Sequence, residues 1–133
     1  MRNDNGLISA PGQRNVTETS RAFRAAAQTA GLLIFAEIDH GQNAIDVGLP
    51  LRQTVLLIFG NPKGGTPLMQ LNQESGIDLP FKLLVWEDDE GTTWVTYNDP
   101  EWLAARHGLG PEAGQSVTAI AEGMKRLVAV STS

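Results

Sequence analysis

Apolar positions fall on one helical face over residues 15–30: Phe23, Ala26, Ala27 and Ala30 recur at the spacing of an α-helix. The stretch "NVTE" at 15–18 reads as a capping box, with Asn15 as N-cap, Glu18 reaching back, and Thr17 as the rival cap. Gly31 ends the helix, because glycine takes the left-handed conformation without steric cost. Before it, "GLIS" at 6–9 is expected to form a short strand.

The pattern then changes period. "LLIFAEID" at 32–39 alternates, with Leu33, Phe35 and Glu37 on one face and Ile34, Ala36 and Ile38 on the other. Residues 40–53 are irregular, with a helical turn expected at 43–47. "TVLLIF" at 54–59 is apolar on both faces and reads as a central strand. "TPLMQLN" at 66–72 predicts a short helix capped by Thr66, with Pro67 in its first position. "FKLLVWEDDEGTTWVTY" at 81–97 is two β-rich runs around an acidic turn that closes at Gly91, a hairpin. "DPEWLAARHG" predicts a small helix, with Asp99 as cap, Pro100 first, Arg106 and His107 at the negative end and Gly108 as the stop. An amphipathic helix over about 112–129 carries the stripe Val117, Ile120, Met124, Leu127 and Val128.

Strands paired by a hairpin, with helices gathered on one face, predict an α+β fold in a single domain spanning 1–133. A doubly wound sheet is disfavoured, since 81–97 has no helical crossover between its strands. The expected sheet is largely antiparallel and holds 54–59, 81–87 and 92–97, with helices 15–30 and 112–129 packed on it.

Composition narrows the function classes. A net charge of −5 argues against a nucleic-acid surface, which wants a basic face. The absence of cysteine removes disulfides, thiol nucleophiles and thiolate metal sites. No signal-peptide core and no run of about 20 apolar residues is present, so a soluble, cytoplasmic protein without a membrane partner is expected.

The motifs "IFAEIDH", "GLPLR", "FGNPKGGTPLMQ", "LPFKLLVWED" and "VTYNDPEWLAARHGL", in that order over roughly residues 15–109, resemble the family called domain of unknown function 302. The resemblance implies a four- or five-stranded antiparallel sheet backed by helices, of the TATA-binding-protein-like type, and a tendency to dimerise. Gln53 stands where the family often has proline, and Gly65 where alanine is common. The resemblance implies no activity.

Candidate chemistry gathers at two strand ends. In "NPKGG", Pro62 fixes one backbone angle while Gly64 and Gly65 permit positive φ, so successive N–H groups could form a nest for an anion beside Lys63. The plain alternative is a tight turn with a solvated lysine. The chain lacks GxxxxGK[ST], so nucleotide hydrolysis has no support. In "EIDHG", neighbours Asp39 and His40 point to opposite faces of a strand, while Glu37 and Asp39 share one about 7 Å apart. No third metal ligand is evident, so no metal or other cofactor is expected. Asp39 and His40 satisfying local backbone groups is the plain reading there. The acidic run at 87–90 lacks the EF-hand pattern and reads as a solvated turn. Tyr97 lies at a strand end, where it lines a pocket or a core edge. No GxSxG elbow occurs, and "LNQESGID" gives no context for a serine nucleophile.

Three functional readings follow. The favoured one is a small-ligand binding module, its partner a small anion, with Asn61, Lys63, Gly64, Gly65, Thr66 and Tyr97 as binding residues. The second is an enzyme using His40, beside Asp39, as acid or base while Lys63 holds an anionic substrate. The third is a homodimeric interaction domain, suggested by Trp86, Trp94 and Trp102 and by the apolar run at 54–59. A site shared by the His40 and Lys63 motifs requires parallel strands, a returning loop, or a dimer.

Overall fold

The computed structural model describes residues 2–133. Five strands form one sheet: β1 (Leu7–Gly12), β2 (Leu33–Asp39), β3 (Thr54–Gly60), β4 (Phe81–Glu87) and β5 (Thr93–Asn98), in the order β1-β5-β4-β3-β2. Every neighbouring pair is antiparallel. The helices are α1 (Val16–Thr29), α2 (His40–Asp46), α3 (Pro62–Leu71), α4 (Pro100–Arg106) and α5 (Gly114–Ser131), with 3-10 turns at Gln73–Asp78 and Pro111–Ala113. The α+β class, the hairpin and the central place of the 54–59 run are as the sequence predicts.

The caps explain where helices begin. Asn15 Oδ1 accepts from Glu18 N at 2.8 Å, and Asp99 Oδ1 accepts from Glu101 N at 3.0 Å. Each satisfies a donor that the first helical turn leaves free. At the other ends, Gly31 and Gly108 take φ of +81° and +59°.

Alternation along the strands sorts the sheet into two faces. Leu57, Phe59, Leu83, Val85, Val95 and Tyr97 face α1 and α5, where they meet Val16, Phe23, Ala27, Met124, Leu127 and Val128 in the main core. Phe23 and Phe59 pack edge to face, ring centres 4.9 Å apart. A satellite cluster of Leu68, Leu109, Ala113 and Val117 ties α3 to the start of α5. The opposite face carries Leu56, Ile58, Leu84, Trp86 and Trp94, half-buried and in neither cluster. There the indoles of Trp86 and Trp94 stack at 6.4 Å.

Three local expectations change. In β2 a register shift between Ile34 and Ala36 inserts one residue, so simple alternation fails. Ile34 then shares the helix-bearing face with Glu37 and Asp39, and Glu37 binds Arg24 of α1 at 2.6 Å. Second, the helical turn expected at 43–47 is α2, which starts at His40. Third, α3 starts not after Thr66 but at Pro62, capped by Asn61, so Gly64 and Gly65 are helical and Pro67 lies inside.

Candidate functional site

The stretch "NPKGG" is the first turn of α3. Neither Gly64 nor Gly65 has positive φ, so the glycine nest expected from the sequence does not form. The free donors of a helix N-terminus are also spoken for. Pro62 has no N–H; Asn61 Oδ1 takes Lys63 N at 2.9 Å; Asn61 O takes Gly64 N at 2.8 Å and Gly65 N at 3.1 Å. What remains toward an anion is the helix dipole and the exposed Lys63 ammonium, which has no side-chain partner in the described residues.

Beside this turn lies a hollow of about 700 Å³ between α1, α5 and the end of β3. Apolar groups dominate its wall, among them Ala26, Leu32, Phe59, Phe81, Ile120 and Val130. Asn61, Gly64 and Gly65 close one side, and Arg126, without an ion-pair partner among the described residues, also lines it. A smaller hollow of about 190 Å³ shares Gly60, Asn61, Gly65 and Phe81 with it and adds Phe35, Thr66 and Met69. The first turn of α3 therefore borders both. Lys63 lines neither.

The other motif is elsewhere. Asp39 caps α2, its Oδ1 accepting from Gln42 N at 2.9 Å, which is the plain reading made from the sequence. His40 is the first helical residue, half-buried, with no side-chain bond among the described residues. Because β2 and β3 are antiparallel, Leu33 pairs with Gly60 and Asp39 with Val55. The His40 and Lys63 motifs thus sit at opposite ends of the sheet, about 20 Å apart at ~3.3 Å per residue. A shared site within one protomer is ruled out by that register. Tyr97, between Ile8 and Leu83, is 5% exposed and belongs to the main core. Burial, then the nearby Asp99 charge, raises its phenol pKa above 10.0. Among the described residues, no group of three or more His, Asp or Glu side chains is placed to hold a metal ion.

Arg126 and the α1–α5 wall of the hollow were missed by sequence reasoning. The spacing showed only a core stripe on each helix, and a gap between helices leaves no mark in either. A second missed group, Asp78 with Arg106 and His107, forms from segments 28 and 29 positions apart.

Comparison with known proteins places this geometry. Residues 8–129 match the family described as Domain of unknown function DUF302. An uncharacterized conserved DUF302 protein from Bacillus stearothermophilus, solved by crystallography, shares the fold with a TM-score of 0.85 at 18% identity, over 96% of this chain and 98% of that one. Fluoride-specific ion channel FluC 1 of Brucella suis is 43% identical over 120 residues, covering 90% of this chain and 47% of that protein. FluC 1 of Brucella abortus and FluC 2 of Brucella melitensis are equally similar, with 44% of each covered. The chain thus spans about half the length of the curated relatives it matches. Among its own described residues, no helix is long and apolar enough to cross a membrane.

Proposed function

This chain belongs to the DUF302 family, and from that premise we propose that it is a cytoplasmic small-ligand binding module whose site is the hollow between α1, α5 and the first turn of α3. The observation that carries the reading is the hollow itself. Its volume of about 700 Å³ lies within the ~300–1,000 Å³ usual for ligand pockets, and its wall is apolar with few polar groups. Such a wall suits a ligand with an apolar body. Arg126 and Asn61 suit an anionic or polar end. The first turn of α3 has no free backbone donors, so a small bare anion, fluoride included, finds no cradle there.

The test is thermal unfolding with a graded series of alkyl carboxylates and matched alcohols. A ligand at 100 times its dissociation constant adds about 2.7 kcal/mol of stability. Ala119→Phe, which fills the hollow from an exposed position on α5, should abolish the gain. If no compound raises stability with concentration, or if the gain survives Ala119→Phe, the hollow is not the site.

A second reading is favoured by the uncovered sheet face, where Trp86 and Trp94 stack beside Leu56, Ile58 and Leu84. Lys82, Thr54 and Thr96 share this face, so its apolar part is the Trp86–Trp94 pair with Leu56, Ile58 and Leu84 beside it. On this reading the face meets a second copy of the chain. Sedimentation equilibrium at micromolar concentration should give twice 14.3 kDa, and Trp86→Lys should return the monomer. A wild-type monomer would refute it.

A further inference from the structure

Apart from the apolar hollow, the structure holds a polar one. Asp78, the last residue of the 3-10 turn Gln73–Asp78, accepts from Arg106 Nη1 at 3.1 and 3.0 Å and meets His107 Nε2 at 2.6 Å. Asn72 Nδ2 donates to His107 O at 2.9 Å and pins the end of α4 to this turn. The side chains of His107 and Asp78 are only 10% and 15% exposed, so the contact is shielded. A histidine at a helix end needs no such partner to favour the dipole.

Charge decides how His107 binds. The carboxylate of Asp78 already has the Arg106 cation, held through both oxygens. A carboxylate only accepts, so the ring nitrogen facing Asp78, Nε2, carries the proton, and in the neutral ring Nδ1 is then the acceptor. Nδ1 has no bond, and it is not among the buried unpartnered atoms, which in the described residues are Arg14 Nε, Ser20 Oγ and Ser75 Oγ. It is therefore open to solvent. The solvent-open space that His107 lines is a hollow walled by Asn72, Gln73, Glu74, Ile77 and Arg106. Asp78 and His107 also line a small recess of about 10 Å³ with Ser75, a residue 3% exposed whose Oγ lacks a partner.

We propose that this hollow is a second ligand site, for a small hydroxycarboxylate monoanion. Its hydroxyl donates to His107 Nδ1 and its carboxylate meets the half-exposed Arg106 guanidinium. Glu74 on the same wall disfavours a dianion such as phosphate. Asp78, bonded to His107 Nε2, fixes the tautomer that makes Nδ1 the acceptor for that hydroxyl. The proposal is independent of the apolar hollow, which shares no lining residue with this one.

The experiment is imidazole 15N spectroscopy of the full chain at about pH 8, above the ordinary imidazole range, with glycolate as probe and acetate as control. His40, the one other histidine, serves as internal reference. Expected is an Nε2–H, Nδ1-acceptor tautomer at His107. Glycolate should move its Nδ1 resonance saturably within tens of millimolar, acetate at least tenfold more weakly, and His40 should not respond. Arg106→Gln should weaken glycolate about tenfold while the tautomer stays. An Nδ1–H tautomer, an unsaturable or absent response to glycolate, or equal responses to glycolate and acetate would overturn the proposal. All three are read on the wild-type chain, so they stand even if the variant fails to fold.

Discussion

Replacing Gly64 and Gly65 by alanine should make this protein more stable. Read from the sequence as hinge residues at positive φ, both glycines would resist any side chain. The structure places them in the first turn of α3 with ordinary helical backbone. A Cβ at Gly64 meets nothing within 4 Å, and one at Gly65 meets Leu79 Cδ1 at 3.8 Å, an ordinary contact. The bonds of both N–H groups to Asn61 O involve no side chain and persist. Glycine in a helix costs roughly 0.5–1 kcal/mol relative to alanine, mainly through the freedom it loses on folding. The double variant should therefore gain about 1–2 kcal/mol. At ~2.1 cal/mol/K of unfolding entropy per residue, 133 residues give about 0.28 kcal/mol/K. The expected rise in Tm is about 4–7 °C by calorimetry. A fall in Tm, or a reversal by restoring Gly64 alone, would mean that the turn needs its glycines in a left-handed conformation. Gly64 and Gly65 both line the apolar hollow, so a smaller ligand-induced shift from a higher baseline is the expected sign that an added methyl narrows it. Stability and binding then move in opposite directions, which a general stabilisation would not produce.

Gly6→Ala should be damaging: Gly6 has φ of +79°, and its Cβ would stand 2.3 Å from the Trp102 ring, so a loss of about 2–4 kcal/mol is expected in urea titration. The raised pKa of Tyr97 favours the folded state below 10.0, and that contribution is lost as pH rises through the folded value. Tyr97→Phe should accordingly flatten the alkaline limb of the stability profile above pH 10.0. Asp88 has its pKa lowered below 3.8, chiefly by the bond from Trp94 Nε1 at 2.8 Å and then by the Thr92 N–H. That contribution is present above the unfolded pKa and is lost as pH falls through the folded one. Asp88→Asn should thus lose less stability than wild type between about pH 5 and pH 2, and parallel profiles would contradict the assignment.

Elements whose cause is local were legible in the sequence. Asn15 and Asp99 sit within three residues of the N–H groups they cap, and Gly91, at φ +82°, closes the hairpin within its own turn. Alternation fails in β2 because a bulge is set by the partner strand and leaves no composition signal. The start of α3 was hidden because glycine pairs usually mark turns, whereas here the tertiary setting carries them into a helix. Site chemistry was less legible. The Asp39 cap could be read from its neighbours, but the separation of His40 from Lys63 depends on strand direction, which no local pattern encodes. Asp78 and His107 meet only because α4 folds back on the turn after α3.

The sheet order has a consequence for how the chain reaches this state. From β2 to β5 every strand pairs with its neighbour in sequence, and Phe59 meets Phe81 across 22 positions. β1 instead pairs with β5, and Ile8 meets Tyr97 across 89. Closing the longer loop costs about 1.2 kcal/mol more in chain entropy. The four-stranded meander is therefore expected to assemble first, leaving the β5 edge bare until the N-terminal strand arrives. During that interval β5 is an open template for another chain. Pulse-labelled amide exchange should show Ile8 and Ala10 protected after Leu57 and Leu83; simultaneous protection would mean that the sheet closes in one step.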